Sequence, residues 1–298
     1  MRRLATSVVA GALVASLAVV SPANTQVLGR KPSYTDRSLS TVPNAAAMTV
    51  RIWAPDLDQG FVPQGLTVFA GAIYVGAYKS EDPGQGRGPC RLYRIDPRSG
   101  AIWGALDLPP ACGHAGGLAR GAAGRLWVAD TRAIFEIGLS SGDGAIGTVL
   151  RSVRLTGALK GSFATSTADA LWLGTYSKEP GAKIYKFPFD KLEPGTDALS
   201  EENATASIAL PTKAQGAAYD AAGRLWVTRS GAELGELVQI DLVTGAVLQT
   251  FAMPAGIEDI SFDPDGGLWA VGEAGSKRWL GWSTFFPVIF RLEPGKLQ

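Results

Sequence analysis

The heptapeptide AAGRLWV occurs at 122–128 and again, unchanged, at 221–227. A duplicated segment of this length points to a fold assembled from repeated units, so degenerate copies should exist elsewhere. They do, as AIYVG at 72–76, RLWVA at 125–129, ALWLG at 170–174, RLWVT at 224–228 and GLWAV at 267–271. Their aromatic residues, Tyr74, Trp127, Trp172, Trp226 and Trp269, advance by 53, 45, 54 and 43 residues. Each copy follows a small-residue segment and a tight turn, such as GGLARGAAG, QGAAYDAAG or EDISFDPDG. Each precedes a second aromatic or apolar strand, among them LYRI, IFEI, IYKF, LVQI and IFRL. Turns of the DPRSG and DLVTG kind then lead into outer strands. Four short strands per unit, Asp- and Gly-rich turns and no helical period predict an all-β chain folded as a β-propeller.

Five copies of the first three strands are visible, but the chain ends just after IFRL, before a fifth outer strand. The segment VRIWAP at 50–55 precedes the first inner strand and ends in Pro like the other outer strands. It is expected to complete the last blade, which removes two sheet edges and ties the ends of the ring together. The reading is five four-stranded blades; the alternative is six, with a degenerate blade at 191–209.

The first residues read as a targeting segment. Arg2-Arg3, an apolar stretch over 4–20 and Ser21-Pro22-Ala23 have the order of a signal peptide cleaved after Ala23. The domain reading is therefore a signal peptide at 1–23, a flexible leader at 24–46 without sustained periodicity, and one propeller at 47–298. Secretion or a periplasmic location follows from that reading. With 28 Lys+Arg against 27 Asp+Glu, the charge is too balanced to suggest nucleic acid, and no later segment is long and apolar enough to span a membrane.

Propeller topology turns sequence position into location. Residues at the start of each inner strand and just after each second strand gather at one mouth of the central channel. The inner-strand column reads Gln64, Gly116, Gly161, Gln215, Glu258, followed by Gly65, Gly117, Ser162, Gly216, Asp259. Glycine is expected where inner strands crowd the axis. Gln64, Gln215, Glu258 and Asp259 need another reason: water, one another, or a ligand. The positions after the second strands add Tyr78, Lys79, Asp130, Arg132, Tyr176, Lys178, Arg229 and Glu273 as candidate ligand-binding residues. These charges also fit a solvated loop surface. The lone histidine, His114, lies at the same mouth and is the candidate general base. The loop at 274–287 carries Lys277, Arg278, Trp279, Trp282, Phe285 and Phe286, which either cover a ligand or plug a neighbouring blade. Cys90 and Cys112, 22 residues apart and on the same side, predict a disulfide that stabilises by about 3 kcal/mol and fixes the His114 loop.

The motifs PQGL at 63–66, HAGGL at 114–118, KGS at 160–162, Gln215-Gly216 and Glu258-Asp259 resemble a group of exported bacterial propeller proteins of unassigned role. More distantly the chain resembles the gluconolactonase and senescence-marker-protein superfamily. That resemblance implies a divalent cation in the channel, usually calcium, and hydrolysis of lactones. It would make Glu258 and Asp259 metal ligands, with Gln64 and Gln215 where the superfamily places charged or Asn ligands. Two functions are thus in view: a non-catalytic propeller that binds a small polar molecule or a protein partner, and a metal-dependent lactonase. No nucleophile elbow, P-loop or HExxH motif is present.

Overall fold

The computed structural model describes residues 26–140 and 144–298, so the signal-peptide assignment at 1–23 falls outside the described residues. Five sheets account for the strands. Blade 1 runs Phe61–Phe69, Ala72–Lys79, Cys90–Ile95 and Ile102–Asp107. Blade 2 runs Gly117–Arg120, Arg125–Asp130, Ala133–Leu139 and Gly147–Leu155. Blade 3 is Phe163–Ser166, Ala170–Gly174, Lys183–Pro188 and Ala206–Ala209, and blade 4 is Ala214–Tyr219, Leu225–Ser230, Gly235–Ile240 and Val247–Ala252. Blade 5 contributes Ile257–Phe262, Leu268–Gly272 and Val288–Leu292 and takes its outer strand from Met48–Trp53. The inner strands contact one another in a closed cycle, which makes the five sheets a propeller.

The closing strand pairs antiparallel with the last one, Trp53 opposite Val288 and Ile52 opposite Ile289. The segment suspected of hiding a sixth blade does something else. Its short strand Ala198–Leu199 pairs in parallel with Arg154 and Leu155, widening blade 2, and Ala206–Ala209 is the outer strand of blade 3. The extra length is an insertion between blades.

The repeated aromatic has a local explanation in blades 4 and 5. Asp220 and Asp263 each accept a hydrogen bond from the indole Nε1 six residues later, Trp226 and Trp269, both at 3.0 Å. Each carboxylate also takes backbone amides of its own turn, so one Asp fixes the turn and the tryptophan together. The core lies between neighbouring blades. Tyr74 and Leu92 of blade 1 meet Leu118, Val128 and Phe135 of blade 2, and Trp226 of blade 4 meets Ile260, Leu268 and Phe290 of blade 5.

The segment expected as a flexible leader makes contacts with the ring from Leu28 onward. Leu28 bridges Ile52. Arg37 donates to the carbonyls of Leu280 (2.8 Å), Trp282 (3.0 Å) and Ser283 (2.6 Å), and Tyr34 donates to Gly275 at 2.5 Å. These partners are loop carbonyls of blade 5, a tertiary match that leaves no periodicity in the leader's own sequence.

Glycine at the channel is a matter of space. A Cβ on Gly117 would lie 2.1 Å from the Ala164 nitrogen and 2.5 Å from the Phe163 Cα, which are backbone atoms that cannot rotate away. Gly117→Ala is therefore expected to cost about 3 kcal/mol and lower the melting temperature by roughly 5 °C or more. A thermal scan giving an unchanged midpoint would contradict this packing.

Candidate functional site

Three inner strands carry one extra residue each, and the extra residues coincide with the polar column. Register slips occur between Pro63 and Leu66, between Ala214 and Gly216, and between Ile257 and Ile260. A bulge breaks the alternation of faces and re-aims side chains. At 258–259 the two consecutive acidic side chains part, as neighbours on a strand do, and the slip changes where each of them is aimed.

Asp259, fully buried, turns to the axis. Its Oδ2 accepts the amides of Leu66 (2.9 Å) and Leu118 (3.0 Å), its Oδ1 accepts that of Ile260 (3.0 Å), and the Ala217 amide also donates to it. Burial raises its carboxyl well above the ordinary aspartate value, while the four amides pull the other way by favouring the anion. Both of its oxygens serve backbone amides, of blades 1, 2, 4 and 5.

Glu258 turns to the upper mouth, where the inner strands begin, and meets Glu273. The two carboxyls hydrogen-bond one another and are 1 % and 7 % exposed. Gln64 donates to Glu273 Oε2 at 2.8 Å, Trp279 Nε1 donates to the same oxygen at 2.6 Å, and Gln215 reaches Glu258 Oε1 at 3.4 Å. Tyr176 is close enough for both charges to raise its phenol, after the larger effect of burial. Burial first, then the charge of Glu273, pushes Glu258 well above the ordinary glutamate value. Burial pushes Glu273 up to about 7, against hydrogen bonds from Trp279, Gln64 and Glu258 that favour its anion. Two such carboxyls titrate as a unit and share a proton near neutrality. Among the described residues, neither carboxyl has a Lys or Arg partner.

The remaining candidates separate from this pair. Asp130 Oδ1 accepts the amides of Gly113 (3.0 Å), His114 (2.6 Å) and Ala115 (3.2 Å), fixing the loop beside the Cys90–Cys112 disulfide. His114 stacks on Tyr78 with ring centroids 4.6 Å apart, and its Nδ1 lies 3.0 Å from the Gly86 carbonyl. Since a carbonyl only accepts, Nδ1 carries the proton. Burial lowers the His114 pKa, and the charges that act on it are Asp130 and Arg87, not the glutamate pair. Arg132 bonds the carbonyls of Gly157 and Leu159, and Arg229 bonds Thr212 and Glu236, so both arginines tie down loops. Lys79 and Lys178 are exposed. In the 274–287 loop, Phe285 and Phe286 are core residues, whereas Trp279 faces the site. Arg278 lies over the rings of Tyr78 and Trp279 and donates to the Tyr78 hydroxyl. The special role of Trp279 had no signal in the sequence beyond an aromatic in a loop at this face.

The donors at the upper mouth can be compared with the cation that the superfamily resemblance implies. Calcium takes six to eight oxygens, waters included; the mouth offers the Glu258–Glu273 carboxyls, with Gln64 and Gln215 turning their N–H groups toward them, so Glu258, Glu273 and the two glutamine carbonyls are the residues that would hold such a cation. The one three-residue grouping of potential ligands among the described residues, Cys90, Cys112 and Asp130, has its sulfurs in the disulfide.

No family model and no curated protein matches the chain. Solved structures do. Glutaminyl cyclase from Myxococcus xanthus is similar at a TM-score of 0.57 and 14 % identity, over 83 % of this chain and 94 % of that one. The PQQ-bound aldose sugar dehydrogenase from Streptomyces coelicolor has a TM-score of 0.48 and 16 % identity, over 78 % and 94 %. A gluconolactonase from Xanthomonas campestris has a TM-score of 0.44 and 15 % identity, over 88 % and 99 %. At these identities the likeness speaks for the fold alone.

Two outcomes follow from the buried acids. Asp259→Asn keeps one acceptor oxygen but points N–H groups at backbone N–H groups, so a loss of about 3 kcal/mol in chemical denaturation is expected. For Glu273 the folded value, about 7, exceeds the ordinary 4.5. Its contribution is full below pH 4.5 and lost as pH rises through 7, a fall of about 3 kcal/mol. Glu273→Gln, which mimics the protonated acid, should flatten that fall in melting curves taken across the range.

Proposed function

We propose that this chain is an exported propeller that binds a small polar molecule carrying a cationic nitrogen at its upper mouth. The observation that carries this reading is the Glu258–Glu273 pair, buried and hydrogen-bonded by Gln64, Gln215 and Trp279 but without a cationic partner among the described residues. A buried anion without a counter-ion is unfavourable, and the pair meets that cost by holding a proton. A ligand ammonium replaces the proton and gains a charge-assisted hydrogen bond. Tyr176 and Gln215, both half-buried, border the pair and would contact the rest of the ligand. Export agrees with the disulfide, which persists in oxidising compartments.

Binding releases the shared proton, so affinity for an amine should rise as pH goes from about 6 to 8. Calorimetry with a panel of small primary amines, run in two buffers of different ionisation enthalpy, reads both affinity and proton release. Glu258→Gln and Glu273→Gln should each weaken binding by about tenfold or more. Equal binding of an amine and its uncharged amide counterpart would refute the reading. A melting-temperature shift with calcium, absent with amines, would put a metal in its place.

A further inference from the structure

A large cavity lies at the other mouth. It measures about 1010 Å³ and is lined by the final residues of all five inner strands, including Phe69, Arg120, Ser166, Tyr219 and Phe262. Asp259 and its ring of amides lie between this cavity and the glutamate pair, so the channel has two chemically separate ends.

Two side-chain polar atoms at the lower mouth lack hydrogen-bond partners among the described residues. In blades 4 and 5 the repeated tryptophan donates to an Asp six residues earlier, but in blade 3 that position is Ser166. Trp172 Nε1 is buried without a hydrogen-bond partner among the described residues, in a side chain 7 % exposed that lines the cavity. The Tyr219 hydroxyl is likewise buried and unpartnered, and its ring lies 5.6 Å from that of Trp172. The hydrogen bond found for the Arg120 guanidinium is to a neutral acceptor, the Phe262 carbonyl, at 2.6 Å. The hydrogen bonds and ion pairs of the two carboxylates on the cavity wall go to other residues, Asp220 to Arg224 and Trp226, Asp263 to Arg291 and Trp269, although the charge of Asp263 also acts on Arg120. Indole N–H and guanidinium groups only donate, so the complement must supply acceptors. Phe69, Trp172, Tyr219 and Phe262 contribute apolar wall between them.

We infer that the lower mouth is a second binding site, for an organic anion with a flat apolar body: its carboxylate faces Arg120, and further oxygens accept from Trp172 and Tyr219. Nothing in this inference rests on the upper-mouth reading, and the two sites select opposite charge.

The test is calorimetric titration of the protein with 2-naphthoate, and with 2-naphthamide as the uncharged isostere. Naphthoate is expected to bind at submillimolar concentration and the amide about tenfold or more weakly, since a charge-assisted pair is lost. Arg120→Gln should bring naphthoate down to the level of the amide. Trp172→Phe, which keeps the apolar ring and removes the N–H, should weaken binding by several-fold. No binding of naphthoate at millimolar concentration, equal binding of acid and amide, or full affinity in both variants would overturn the inference. If Arg120→Gln does not fold, the acid–amide comparison and Trp172→Phe decide it.

Discussion

One carboxylate organises the centre of this molecule. A propeller's inner strands converge on the axis with backbone amides that cannot all pair within their own blades, and Asp259 takes four of them from four blades. A buried carboxylate is costly in isolation, yet amide donors that face it on every side replace the water it has lost. Glycines beside it let the backbones close in: a Cβ on Gly216 would lie 2.5 Å from the Asp259 Cα. The closing strand and the interblade core hold the ring's circumference, while Asp259 holds its middle.

That arrangement also decides where chemistry is available. Asp259 faces the axis, and its neighbour Glu258 points away from it, as consecutive residues of a strand do, and meets Glu273. The upper mouth thereby becomes an acid pair with donors around it, and the lower mouth a donor-lined apolar cavity. The leader supports the first of these at a distance: Arg37 and Tyr34 bind the backbone of the loop that carries Trp279, and Trp279 fixes Glu273. A segment without secondary structure of its own thus helps to orient a buried carboxyl.

Much of the architecture was legible in the chain. The spacing of Tyr74, Trp127, Trp172, Trp226 and Trp269 determined five blades, since strand alternation and turn chemistry are local and repeat with the unit. The orphan strand at 50–55 implied closure, and the cysteine spacing implied a disulfide. The column that held Gln64, Gln215 and Glu258 did mark the upper mouth. What only the tertiary structure decided is direction and company. Alternation parts Glu258 from Asp259, but the bulge is invisible in "IEDI", so nothing there says which of the two faces the axis. The partner of Gln64 lies 209 residues away, and the acceptor that Trp172 lacks is a fact about the space around it. Periodicity is a property of one strand at a time, whereas a site on the axis exists only once the ring has closed.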